Sequence, residues 1–128
     1  MRKLIERIAF TLLGGLLTLF ALFAFVWFQA RTPAKIAFTT AHLVTEKMAT
    51  TNFFTMTGRW PTSATELVKN PLGVVFIYPP PPFRDGWGRP TVYEAFSPTA
   101  GYGRVISYGR DGKPGGAGAD SDIEVRFP

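Results

Sequence analysis

The chain has 128 residues, a formal net charge of +5 and no cysteine. After an apolar first segment, residues 31–128 have room for one small domain. Without cysteine the domain has no disulfide, so we expect a metal ion or assembly with copies of itself to stabilise it. The positive charge is dispersed and forms no basic patch interleaved with aromatic residues, which disfavours nucleic-acid binding.

Residues 8–30 carry no charge and are numerous enough to cross the roughly 30 Å hydrocarbon core of a bilayer as a helix. The segment is longer than the apolar core of a signal peptide, about 7–15 residues, and no A-x-A cleavage site follows it. We therefore expect an uncleaved anchor in membrane lipid. Residues 1–7 contain Arg2, Lys3 and Arg7 and form a basic leader or a cytoplasmic tail. Because positive flanks stay in the cytoplasm, the domain is predicted to lie on the opposite side.

Residues 31–57 are predicted to continue the span as an amphipathic helix. After Pro33 this stretch contains no glycine or proline, and an apolar stripe at helical spacing is expected to pack on the domain. The stripe consists of Ala37, Ala41, Val44 and Met48. Glu46 lies off this stripe. Glycine and proline in residues 58–61 end the helix, and residues 63–66 fit a capping box that begins a second, short helix.

The last third of the chain changes to the period of β-structure. Three runs rich in Val, Ile, Tyr and Phe predict a small antiparallel sheet, with strands at residues 91–96, 104–108 and 123–127. In the last run Ile123, Val125 and Phe127 share one face, which the long helix must cover. The sequence thus predicts an α+β fold, in which a long N-terminal helix packs on a three-stranded antiparallel sheet within a C-terminal domain of residues 58–128.

A loop rich in glycine and aspartate, residues 109–122, connects the last two predicted strands. Carboxylates and inward-turned carbonyls are the hard oxygen ligands that Ca²⁺ requires. Asp111 and Asp120 bracket the loop, so an ion bound by both would close it. Spacing alone slightly favours a flexible hairpin with solvated aspartates over a calcium site. The loop fits neither an EF-hand nor a phosphate-binding motif.

Four short motifs follow one another along the C-terminal part of the chain. They are Gly-Arg-Trp-Pro-Thr at residues 58–62, Asp-Gly-Trp-Gly-Arg-Pro-Thr-Val-Tyr at 85–93, Ile-Ser-Tyr-Gly-Arg-Asp-Gly-Lys-Pro-Gly-Gly at 106–116, and Ala-Asp-Ser-Asp-Ile at 119–123. In sequence and order they resemble the signatures of the major pseudopilin of type II secretion systems. The resemblance implies a pilin-like fold and a structural subunit of a periplasmic pseudopilus. Its implied partners are copies of itself, other pseudopilins and the secretion platform of the bacterial inner membrane.

The same resemblance implies a structural calcium ion in the C-terminal loop. Carried over by position, Asp111 and Asp120 are the expected side-chain ligands. Asp122 either ligates the ion or orients the loop. Main-chain carbonyls near Ser107 and Arg110 would complete the shell.

The N-terminus departs from the family pattern. Residues 10–12, Phe-Thr-Leu, resemble the start of mature pilin-like subunits, which places processing between Ala9 and Phe10. Ala9 stands where the family has glycine, and Gly14 stands where it has a glutamate that pairs with the new amine. A membrane-anchored, non-polymerising periplasmic interaction module is therefore the alternative function. No enzyme is expected, because no nucleophile has a suitably spaced base.

Overall fold

The structure, a computed structural model, describes the backbone of residues 1–128 and all side chains except those of residues 4 and 28–30. The chain divides into two compact units, Met1–Pro33 and Ala34–Pro128. The regular elements are the helix α1 (Arg2–Thr57), a 3₁₀ turn (Ala64–Leu67), β1 (Val92–Ser97), β2 (Tyr102–Ser107), a second 3₁₀ turn (Gly118–Asp120) and β3 (Ile123–Phe127). The predicted α+β fold is confirmed.

The first unit is the apolar part of α1. Every residue from Met1 to Trp27 whose side chain the structure describes is exposed. Within the apolar stretch the Thr11 and Thr18 hydroxyls bond to the helix itself, donating to carbonyls four residues earlier at 2.9 and 2.8 Å. A helix whose hydroxyl groups are satisfied internally and whose apolar groups face outward is suited to a lipid environment.

The sheet is antiparallel with the order β1-β2-β3, and β2 lies in the centre. On its inner face Val105 and Phe127 pack against Leu43 of α1, and Trp60 closes the edge of this cluster. A second cluster joins Phe53 of α1 to Leu67, Ile77 and Phe83. The alternation predicted for β3 is present, with Phe127 buried and Glu124 and Arg126 exposed.

The face of α1 that packs on the domain is not the predicted apolar stripe. All four stripe residues are exposed, and Met48 is 61% exposed. The buried face consists instead of Thr39, Leu43, Glu46, Ala49, Thr50 and Phe53. The prediction was wrong because half of the buried face is polar. Its threonine hydroxyls donate to α1 carbonyls, at 2.8 Å for Thr39 and 2.9 Å for Thr50, so their burial leaves no unpaired hydroxyl donor.

The predicted capping box is also wrong. The second helix is a single 3₁₀ turn, and among the described residues the Ser63 side chain makes no cap hydrogen bond. The Glu66 carboxylate instead accepts from the Thr62 amide at 3.1 Å and forms an ion pair with Arg59 at 2.8 Å. The Glu66 carboxylate, which would have completed a capping box, is thus paired with the guanidinium of Arg59, two residues beyond the end of α1.

Glu46 is completely buried, at 0% exposure, between α1 and the start of β1. Its carboxylate accepts a hydrogen bond from the Thr91 hydroxyl at 3.1 Å. Burial raises the pKa of Glu46 from 4.5 to about 7, an effect that the Thr91 hydrogen bond offsets only in part.

We expect this carboxyl group to make stability depend on pH. Since its pKa is higher in the folded state, the stabilisation is complete below about pH 4.5 and is lost as pH rises through about 7. The free energy of unfolding of the full-length protein in detergent should fall by roughly 1–3 kcal/mol between pH 5 and pH 8. Urea unfolding curves at each pH measure it.

Glu46→Gln should remove this slope. The control is Glu66→Gln, because the hydrogen bond from Arg59 lowers the pKa of Glu66 and keeps its titration below this pH range. An unchanged slope in Glu46→Gln would contradict the assignment.

Candidate metal centre

Residues 83–91, here named the connecting turn, directly precede β1. The turn is closed by backbone hydrogen bonds from Thr91 to Phe83, at 2.9 Å, and from Asp85 to Arg89, at 2.8 Å. The Asp85 side chain is 4% exposed, and its Oδ1 accepts from the amides of Trp87 and Arg89, both at 2.9 Å. These contacts make Asp85 the cap of the turn.

The connecting turn is attached to both β2 and α1. The Ser107 hydroxyl, at the end of β2, donates to Asp85 Oδ2 at 2.6 Å. The Gly86 amide donates to the Thr39 hydroxyl of α1 at 2.9 Å. A Cβ atom on Gly86 would lie 2.5 Å from the Lys35 carbonyl oxygen, so a side chain at this position would force the turn away from the helix.

The Gly/Asp loop of residues 109–122 is folded back on itself. The Arg110 amide donates to the Ala119 carbonyl at 2.8 Å. A Cβ on Gly109 would lie 2.7 Å from the Ser121 carbonyl oxygen, and one on Gly116 would lie 2.5 Å from that of Asp120. Both glycines have positive φ, 64° and 91°. Only glycine allows the two sides of the loop to approach this closely.

The structure places the three predicted carboxylate ligands in separate local contacts. Asp111 accepts from the Lys113 amide at 3.0 Å, and Asp122 accepts from the Gly115 amide at 3.0 Å. Asp120 forms a two-bond ion pair with Arg110, at 2.9 and 2.8 Å. Within the part of the chain that the structure describes, no three acidic, histidine or cysteine side chains are grouped closely enough to hold a metal ion.

The two predicted carbonyl ligands lie at opposite ends of a short segment. The Arg110 carbonyl accepts from Arg89 Nε of the connecting turn at 2.8 Å. The buried hydroxyl of Ser107 donates a hydrogen bond to the Asp85 carboxylate. Ser107 is therefore a structural residue through its hydroxyl, a role that sequence reasoning missed. The signal for it was the Asp-Gly-x-Gly turn at residues 85–88, whose capping carboxylate needs a further donor when it is buried.

The loop nevertheless carries the donor types of a hard-cation site. Its carboxylates and carbonyls are oxygen donors of the kind that Ca²⁺ takes. The close approach of Gly109 and Gly116 fixes the backbone that carries Asp120. In the structure, however, the guanidinium of Arg110 donates a hydrogen bond to each oxygen of this carboxylate. These hydrogen bonds lower the pKa of Asp120.

The predicted processing bond lies in the first unit. Ala9 and Phe10 are both inside α1, and the Phe10 side chain is 81% exposed. It borders a shallow surface depression together with Lys3, Arg7 and Thr11. Cleavage at this position stays a prediction.

Comparison with protein families matches residues 28–126 to the family described as Type II secretion system (T2SS), protein G. The chain belongs to this family. The resemblance to the major pseudopilin is thereby confirmed over more than three quarters of the 128 residues. No individual curated protein matches the chain.

The family match sets the general role of this pseudopilin. Pseudopilins are structural proteins rather than enzymes, and they assemble with other pseudopilins in the secretion system. The matched region includes the connecting turn, the sheet and the Gly/Asp loop, whereas residues 1–27 lie outside it. Family membership therefore rests on the domain and the end of the apolar segment.

Proposed function

We propose that this pseudopilin is a subunit of a type II secretion pseudopilus, or of a related type IV pilus-like assembly, anchored in the bacterial inner membrane. The observation that carries the proposal is the apolar outer face of α1. In the unit Ala34–Pro128 this face includes Val44 and Met48, which are 40% and 61% exposed. A helix that leaves apolar side chains exposed in the single chain is suited to packing against further helices.

The membrane anchor in this proposal is the span of residues 8–30. One helix of the described chain is long and apolar enough to cross a bilayer. The Arg31 guanidinium lies 4.5 Å from the centre of the Trp27 ring, an arrangement typical of the membrane interface. With Arg2, Lys3 and Arg7 ahead of the span, the N-terminus lies in the cytoplasm and the C-terminal domain in the periplasm.

The calcium ion belongs to the same proposal. Asp111 and Asp120 would hold it, with Asp122 as a ligand or an orienting group, and with carbonyls near Ser107 and Arg110. The ion would fix the loop by replacing several weak contacts with strong oxygen ligation. The support is the donor chemistry, the glycine-dependent closure of the loop and the lack of a disulfide.

A non-polymerising, membrane-anchored interaction module is the second candidate. It is favoured by Gly14, which leaves the exposed face of the span without an acidic side chain at the position where the family pattern has one. Ala9, in place of the family's glycine before Phe10, also favours a protein that is not processed. In that case the protein is retained at full length and binds a periplasmic partner as a single subunit.

Calcium should raise the melting temperature of the full-length protein in detergent. A ligand that binds only the folded state stabilises it, and at a hundredfold excess over Kd the midpoint should rise by on the order of 10 °C relative to a chelator. The double variant Asp111→Ala, Asp120→Ala should lose this rise. The control Glu94→Ala, on the outer face of the sheet, should keep it. An equal midpoint with calcium and with chelator in the unmodified protein would contradict the calcium site.

Met48→Lys should prevent self-association without destabilising the domain, because Met48 is exposed in the single chain and a charge cannot be buried cheaply between helices. Chemical cross-linking in membranes measures the association, and Ala95→Lys, an exposed position on β1, is the matched control. Cross-linked ladders that persist in Met48→Lys would contradict this interface.

The same membranes supply the intact mass of the protein. Loss of residues 1–9 supports processing before Phe10 and a polymerising subunit. A full-length mass together with monomers in the unmodified protein supports the interaction module.

A further inference from the structure

Arg110 is placed so that its side chain occupies a carboxylate that the calcium proposal needs. Its Nε donates to Asp120 Oδ1 at 2.9 Å and its Nη2 to Oδ2 at 2.8 Å. Two parallel bonds from a planar guanidinium engage both oxygens of a carboxylate. In this arrangement both carboxylate oxygens of Asp120 already accept a hydrogen bond from the guanidinium. The positive charge of Arg110 also repels a divalent cation from the same place.

The backbone of Arg110 is held independently of its side chain. The amide donates to the Ala119 carbonyl and the carbonyl accepts from Arg89 Nε, both at 2.8 Å. The close approach of Gly109 to the backbone of residues 119–121 adds a contact that no side chain is needed to maintain. The guanidinium can therefore leave Asp120 while the two sides of the loop stay together.

The ion pair is also accessible to solvent. The side chain of Arg110 is 48% exposed and that of Asp120 is 28% exposed. Water can therefore solvate the guanidinium when it moves away, so that a divalent ion can displace it. A buried pair would resist the same exchange, because each charge would lose its partner without gaining water.

We propose that Arg110 is an internal competitor for the calcium ion: its guanidinium occupies Asp120 in the ion-free loop and is displaced when the ion binds. This inference rests on the calcium site proposed above. The ion-free loop is then closed by an ion pair within the chain, and the calcium-bound loop by the metal. The affinity for calcium is set by the difference between the two closures, so Arg110 makes the site weaker than its oxygen ligands alone would.

The loop contains a matched control. Lys113 carries the same charge as Arg110 and lies three residues further along, where its amide, rather than its ammonium group, contacts Asp111. Lys113→Gln removes one positive charge from the loop and leaves the contact on Asp120 intact. Arg110→Gln removes one positive charge together with that contact. Comparing the two variants separates the specific displacement from the general effect of charge.

The test is calcium titration calorimetry on the full-length protein in detergent, with CaCl₂ as the probe. Arg110→Gln should bind calcium roughly three- to tenfold more tightly than the unmodified protein, and Lys113→Gln within about twofold of it. Arg110→Lys, which keeps the charge but loses the planar two-bond geometry, should lie between Arg110→Gln and the unmodified protein. Melting temperatures give a second readout. Arg110→Gln should melt below the unmodified protein in chelator and together with it in saturating calcium.

The outcomes separate this inference from the calcium proposal. Equal affinities in the unmodified protein, Arg110→Gln and Arg110→Lys overturn the competition while calcium binding stands. An equal gain in Arg110→Gln and Lys113→Gln overturns the specific displacement, because charge alone then accounts for it. Absence of calcium binding in every protein overturns the calcium site, and the competition with it.

Discussion

The buried carboxylate of Asp85 accepts hydrogen bonds from two amides of the connecting turn and from the Ser107 hydroxyl at the end of β2. A buried carboxylate requires such donors, because its charge is otherwise strongly disfavoured away from water. With the turn fixed in this way, the Gly86 amide meets α1 and the Arg89 side chain reaches the Gly/Asp loop. One turn therefore connects the helix, the sheet and the candidate metal loop.

The same polar contacts explain the unusual distribution of side chains on α1. Thr39, Glu46 and Thr50 are buried because each finds a hydrogen-bonding partner, on the helix itself or at Thr91. The apolar stripe that contains Val44 and Met48 consequently faces outward. In an isolated protein this arrangement leaves apolar side chains in contact with water, without the stabilisation that burial would give. In a subunit that packs against neighbouring helices it leaves that surface available for assembly, which agrees with membership of the pseudopilin family.

Sequence reasoning recovered the elements whose signal is local. The apolar span follows from an uncharged run of sufficient length and the alternation of β3 from residue periodicity. Three of the four family motifs lie in the connecting turn and the Gly/Asp loop or overlap them. The packing face of α1 was mispredicted because Glu46 and Thr39 also bond to groups distant in sequence, Thr91 and Gly86. The pairing of Arg110 with Asp120 likewise depends on how the glycines fold the loop, which spacing does not determine.

Native-state hydrogen exchange of the full-length protein in detergent tests most directly whether the connecting turn holds these parts together. The informative amides are those of Gly86, Trp87 and Arg89, which donate to Thr39 and Asp85. If the turn joins helix and sheet, these amides exchange as slowly as those of the central strand β2, through cooperative opening of the domain. Fast exchange at all three while β2 stays protected would show that the turn opens by itself, and would contradict the account.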